Sequence, residues 1–444
     1  MKKVLTLFLI LARMCVTVVA FASCGEKATE GLEYYAYGEG YSVGIKDGKY
    51  LDKIVIPKEH EGKKVVAIAK KGFVGCENAV TVSLPDTITE IGESAFQNCY
   101  KLESIVIPNG VASIGKQAFK GCKALTSIDI PSGVTSIGEY AFSNCKALSL
   151  VTISDTVSTI DSNAFEGCTS LVSITIPKGV SEIGDATFKG CTALTAILVV
   201  EENQNFKSVD GVLYSKDGKK IYQYPVGLKP TSYEGPSGLE SIGGGAFEDC
   251  ELLTQIKIPS TVTTVGENAF KNCPIENATM PTCVIKHVAK NVLRIVDING
   301  GETIEEDAFR AYPMLKRVTI SSAETKTIGD SAFYNCASLS NVVLSEGLEV
   351  IDEYAFKGCG YLTGITLPST LKVIGASAFK DCNRLSKIVI PFDVETIGMY
   401  AFEGCLSLKG IYCRGAGRPS GWDKWWNVKD KDSNFTVTWR YDGE

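Results

Sequence analysis

Two histidines, sixteen cysteines and scattered carboxylate pairs are the residues of this 444-residue chain that could do chemistry at neutral pH. Imidazole is the usual proton shuttle, and general-base catalysis needs a nucleophile and an orienting group within hydrogen-bond reach of it. His60 lies in the polar run 58–62 and His287 in the mixed run 284–288, and neither has a nucleophile near it in sequence. No His-Glu-x-x-His, phosphate loop, nucleophile elbow or Cys-x-x-Cys is present. Gly38, Gly40 and Gly44 lack the spacing of a dinucleotide loop, and no helical pattern follows them, so they read as a turn-rich cap. Asp430, Asp432 and Asn434 begin like a calcium loop, yet Phe435 stands where glycine is required and Tyr441 where the bidentate glutamate belongs. Carboxylate pairs such as Glu305-Glu306 sit on expected turns and converge on nothing. No catalytic, cofactor-binding or metal-ligating set is therefore expected, and the chain reads as a non-enzyme.

The cysteines point to the elements that carry them. Twelve of the sixteen, from Cys76 to Cys405, stand three residues after a phenylalanine. Phe73, Phe96, Phe119, Phe142, Phe165 and Phe188 are 23 residues apart, and the beat resumes at Phe247, Phe270, Phe309, Phe333, Phe356, Phe379 and Phe402. A fixed period of this size is the mark of a solenoid. Within one repeat Ile105 and Ile107 alternate as a half-buried strand, Pro108 ends it, and Val111 and Ile114 form a second extended piece. Ala118, Phe119, Cys122 and Leu125 have the spacing of one or two helical turns with one inward stripe. A glycine such as Gly92 or Gly115 opens that turn, as a left-handed residue or an N-cap. The expected fold is an α/β solenoid of about thirteen stacked coils with a parallel sheet. One cysteine per coil makes a line about 5 Å apart with parallel side-chain vectors. That arrangement disfavours disulfides and offers no tetrahedral metal site, so these thiols read as small core residues.

The strand Leu-x-x-Ile-x-Ile-Pro, seen at Leu102, Ile105, Ile107 and Pro108, is followed by the turn Ile-Gly-x-x-Ala-Phe-x-x-Cys, at Ile114, Gly115, Ala118, Phe119 and Cys122. Together they resemble the BspA-like class of bacterial leucine-rich repeat over roughly residues 50 to 413. That resemblance implies a surface protein of the adhesin kind, attached to host matrix or neighbouring cells. The organisation expected is a signal peptide (1–23), a tether and N-terminal cap with the first strand (24–72), and repeats (73–200). A hairpin insertion (201–236), repeats (237–280), an irregular repeat (281–308), further repeats (309–410) and a Trp-rich C-terminal cap (411–444) follow. The N-terminal strand pair is expected to turn near Lys46–Lys49. In the insertion Tyr214, Tyr222 and Tyr224 either protrude as a contact element or belong to a hairpin that patches the stack.

A formal net charge of −6 and the lack of any basic run argue against nucleic acid as a partner. Lys2-Lys3, an apolar run to Ala12 and the small-residue end at Ala20–Cys24 read as an export signal. Cys24 resembles the acylated cysteine of a lipobox, which implies a lipid-anchored cell-surface protein attached to the membrane only through its lipid; Ala20-x-Ala22 also permits ordinary cleavage and secretion. The recognition face expected is the outward side of the strands: Asp129, Thr152, Thr175, Lys257, Arg317, Thr319, Asn341 and Lys387, offered to a surface protein or glycan by a monomer. An alternative is a glycan platform on Trp422, Trp425 and Trp426.

Overall fold

The structure, a computed structural model, describes residues 27–443 apart from 49 and 432. The signal segment 1–23 and Cys24 lie outside the described residues. The chain divides into two compact units, residues 1–159 and 160–444. Each is a stack of β-coils. In the first, Lys63–Ile68, Glu90–Ile91, Ser113–Ile114 and Ser136–Ile137 form one parallel ladder, with Glu90, Ser113 and Ser136 in register. Lys53–Val55, Thr81–Ser83 and Ser104–Ile105 form another. In the second, Ser232–Glu234, Gln255–Lys257, Asn277–Met280, Ile295–Ile298, Arg317–Ile320 and Asn341–Val343 make a six-stranded parallel sheet.

The expected α/β class is not what forms: the molecule is a parallel β-solenoid with almost no helix. Among the described residues the one helix is a 3₁₀ turn at Thr282–His287. The reason lies in the segment between glycine and cysteine. In 115–122, Gln117 (φ 57°) and Gly121 (φ 77°) are both left-handed, which no α-helix accommodates. Backbone hydrogen bonds there alternate between closing the local turn and reaching the next coil. Ala118 N donates to Gly115 O (3.1 Å) and Cys122 N to Phe119 O (3.1 Å), whereas Gln117 N reaches Glu139 O (2.8 Å) and Phe119 N reaches Ala141 O (2.7 Å). The turn is thus itself a ladder between coils. Its signature is in the sequence, since Asn98, Gly121, Asn144, Gly167, Gly190, Asp249 and Asn272 each precede a cysteine and all have positive φ.

The repeat glycine serves neither as a left-handed residue nor as a cap. A Cβ on Gly115 would lie 2.7 Å from the Gly92 carbonyl carbon and 2.8 Å from Glu93 N. Close approach of successive coils excludes a side chain at that position.

The turns number about 17 across the two units, more than the thirteen phenylalanine beats, because the irregular segments also contribute strands. The insertion forms an antiparallel meander, Phe206–Val209, Val212–Ser215 and Lys220–Gln223, whose last strand pairs in parallel with Ser241–Ile242. Tyr214 and Tyr224 are buried in it, and the Tyr214 and Tyr233 hydroxyls meet at 3.0 Å, so this element does not protrude as a tyrosine contact patch. Asn203 pins its start: Nδ2 donates to Pro177 O (2.7 Å) and Val180 O (2.9 Å), and Oδ1 accepts from the Asn205 and Phe206 amides (2.8 Å each). The buried Glu248 carboxylate lies 3.2 Å from both Lys189 and Lys271, tying coils on either side of the insertion. Ile295–Ile298 keeps register with its neighbours through the irregular repeat.

Phenylalanine rings form the axis of the core. Phe73, Phe96, Phe119 and Phe142 stack with centroids 5.5, 5.4 and 5.3 Å apart; in the second unit Phe309, Phe333 and Phe356 stack at 5.1 Å each. At the C-terminal end Trp422 and Trp426 are buried, with Trp422 Nε1 donating to Val394 O at 3.0 Å. At the N-terminal end the strand pair Leu32–Tyr37 and Gly40–Ile45 turns at Gly38 (φ 56°), not near Lys46–Lys49. The left-handed residue a two-residue loop requires is supplied there by glycine.

Candidate functional site

Groups with latent chemistry are built into packing. Repeat thiols donate to the phenylalanine carbonyl of the preceding coil, as in Cys122 to Phe96 O (3.2 Å) and Cys359 to Phe333 O (3.2 Å). Burial pushes the Cys145, Cys336 and Cys405 thiols up to about 12, so they are not thiolates at neutral pH. The fourteen cysteines among the described residues are free thiols. His60 is stacked on Tyr34 (centroids 3.6 Å, planes 6° apart) and edged by Tyr41. His287 closes the 3₁₀ turn, where burial and then Lys286 hold its pKa below the usual imidazole value. Among the described residues no cluster of three or more His, Cys, Asp or Glu could hold a metal ion.

What the structure offers to a partner is strand surface. Period-two alternation turns Val296 and Ile298 inward and leaves Ile295 and Asp297 on the outer face. Parallel register then aligns two outward rows on the six-stranded sheet. One row runs Ser232, Gln255, Asn277, Ile295, Arg317, Asn341; the other runs Glu234, Lys257, Thr279, Asp297, Thr319, Val343. Neighbours along a row are about 4.8 Å apart. Lys257 is paired with Glu234 at 2.6 Å. Arg317, by contrast, is exposed and forms no ion pair among the described residues, and it stands between exposed Ile295 and Asn341. Asp297 Oδ1 beside it is buried with no hydrogen-bond partner.

The expected face residues fall on several strand pairs. Lys257, Arg317, Thr319 and Asn341 share the sheet just described. Asp129 and Thr152 are in register on Ser127–Ile130 and Leu150–Ile153 in the first unit, where the Thr152 hydroxyl donates to the Asp129 carboxylate. Thr175 faces Leu198 on the separate pair Ser173–Ile176 and Ala196–Val199. Lys387 is engaged by the C-terminal cap: its ammonium bonds the Tyr441 hydroxyl at 2.6 Å and lies over the rings of Tyr412 and Tyr441. Ile295, Asp297 and Glu234 are the members that sequence reading missed, although the alternation at Val296 and Ile298 already placed Ile295 and Asp297 outward.

The glycan platform of three tryptophans does not form. Trp422 and Trp426 are each 3% exposed because the cap uses them to cover the last coils, and only Trp425 keeps an open ring.

Residues 47–149, 222–299 and 289–409 match the BspA type leucine rich repeat region, present in six copies. The protein belongs to the BspA-type leucine-rich repeat family. A leucine-rich repeat protein from Bacteroides ovatus is 27% identical, with a TM-score of 0.58 over 87% of this chain and 94% of that one. The pneumococcal vaccine antigen PcpA, 20% identical, has a TM-score of 0.51 over 91% of this chain and 89% of its own, and so shares the fold. A search of curated proteins returns no match.

Proposed function

We propose that this protein is a non-enzymatic, exported surface protein whose role is adhesion or protein binding through the outward strand face of its second unit. The observation that carries the reading is the unpaired Arg317 among Ile295, Asn341, Thr319 and Val343. An exposed arginine that forms no ion pair, beside exposed aliphatics, is the composition of an interface core, and arginine is enriched among residues that dominate binding energy. Binding spread over several coils would be multivalent and individually weak.

The test is capture of surface proteins from host or neighbouring cells on the purified chain, with bound species identified by mass spectrometry. Changing Lys257, Arg317, Thr319 and Asn341 together to glutamate is expected to abolish capture of the species that wild type retains. Arg317→Ala alone is expected to weaken it about tenfold, the size of a ~1.4 kcal/mol contact, and Thr175→Glu to leave it unchanged. Equal capture by the quadruple variant would remove this face from the reading.

The anchoring part of the proposal rests on Cys24. Acylation there supplies two chains, enough for stable attachment, and no helix among the described residues is long and apolar enough to cross a membrane. Cys24→Ala is expected to move the protein from the membrane fraction to the medium. Unchanged fractionation would mean that another element holds it.

A further inference from the structure

The N-terminal cap carries a trough that the strand face does not include. Tyr35, Ser42, Ala67 and Glu90 stand directly opposite one another on four neighbouring strands, so their side chains share one face in a single line. At about 4.8 Å per strand the line runs about 14 Å from the tyrosine ring to the carboxylate. A serine and an alanine stand between the two ends of that line, and flanking Gly44 and Gly92 keep the floor low. The result is an open cavity of about 560 Å³, within the range of small-ligand sites.

Three features of the lining define what fits. Tyr35 is 50% exposed and offers an aromatic wall. The Glu90 carboxylate is held in place by the Tyr37 hydroxyl, which donates to it across the trough. Ser42 lines the cavity, is 6% exposed, and its hydroxyl has no hydrogen-bond partner among the described residues. That hydroxyl is not sealed from solvent and so is open to a ligand in the trough. Charge is balanced: Glu93 pairs with Lys70 at 2.7 Å, and Lys71 and Glu90 both line the cavity, so the trough selects neither anion nor cation.

We infer that this trough is a binding subsite for a neutral saccharide, one or two rings long. The C–H face of a sugar would lie on Tyr35, and its hydroxyls would bond the Ser42 hydroxyl and the Glu90 carboxylate. An apolar ligand would use neither polar group, and the balanced charge of the lining favours neither an anion nor a cation.

The experiment is saturation-transfer NMR on the purified full chain with five hexasaccharides as probes: glucose-, mannose-, galactose- and N-acetylglucosamine-based neutral ones, and acidic hyaluronan. At least one neutral probe is expected to show transfer and a saturable titration. Tyr35→Ala, and Ser42→Val, which fills the trough with a strand-compatible side chain, are each expected to reduce its affinity tenfold or more. Trp425→Ala is expected to leave it unchanged, and circular dichroism to be the same for all three variants. If Ser42→Val misfolds, Tyr35→Ala on the exposed wall decides alone. Absence of transfer from every neutral probe, binding intact in the folded trough variants, or binding of hyaluronan alone would each overturn the inference. The protein-binding face is untouched by these substitutions, so the two proposals fail independently.

Discussion

Raising the pH from 8 to 10.5 is expected to destabilise the folded chain steeply, with the cysteine column as the cause. Burial pushes Cys336 and Cys405 in the second unit up to about 12, as it does Cys145 in the first, whereas an unfolded thiol titrates near ~8.5. Below ~8.5 both states hold the proton and the thiols contribute their full stability. Above it the unfolded chain releases protons that the folded chain retains, so each buried thiol loses about 1.4 kcal/mol of stability per pH unit. The loss continues until the folded value near 12 is reached. Over two pH units the pair in the second unit alone accounts for roughly 4–5 kcal/mol, comparable with the stability of a marginal domain. The urea midpoint should fall between pH 8.5 and 10.5, and the Cys336→Ala, Cys405→Ala double variant should show a clearly shallower fall. A midpoint that is flat over this window would mean that the thiols are not buried as protonated core groups. Buried tyrosines such as Tyr312, raised to about 12 from the usual 10, add to the loss only above pH ~10.

Phe333→Ala is expected to cost about 3–5 kcal/mol. The ring is fully buried and stacked at 5.1 Å on both Phe309 and Phe356, so truncation removes contacts to two coils and leaves a cavity between them. Backbone hydrogen bonds of the neighbouring turns, such as Phe309 N to Ala332 O (2.7 Å) and Phe333 N to Ala355 O (2.8 Å), resist collapse into that space. Phe333→Leu should recover about half of the loss, since it restores volume but not the stacked geometry. Phe392→Ala is the control: the ring is 71% exposed, and its loss should change stability by less than about 0.5 kcal/mol. Equal effects of the Phe333 and Phe392 substitutions on denaturant unfolding would contradict a core built on the phenylalanine column.

Much of the scaffold was legible because its cause is periodic. The 23-residue beat of phenylalanine and cysteine, with isoleucines alternating ahead of proline, places strands and core without reference to anything distant. The turn was misread as helical because Ala118, Phe119, Cys122 and Leu125 have helix-like spacing while the deciding signal is conformational. Asn98, Gly121 and Asn144 tolerate left-handed backbone, and Gln117 adopts it without any compositional hint. The role of Gly115 was also hidden, since the atoms that forbid a side chain there belong to the preceding coil. Trp422 and Trp426 looked like a sugar platform for a similar reason: aromatic residues near a chain end serve equally well as a lid or as a surface, and only contacts with Val394 and Phe402 decide.

Sequence alone determined the repeat, the parallel strands, and the inward phenylalanines and cysteines, because each follows from residue type at a fixed local spacing. Tertiary structure alone decided which outward residues share a surface. Lys257, Arg317, Thr319 and Asn341 come together with Ile295 and Asp297, Lys387 is taken by Tyr441, and Tyr35, Ser42, Ala67 and Glu90 fall into one line. Those neighbourhoods depend on inter-strand register and on where the ladder is interrupted. Register is set by hydrogen bonds between residues tens of positions apart, and no local pattern of side chains encodes it.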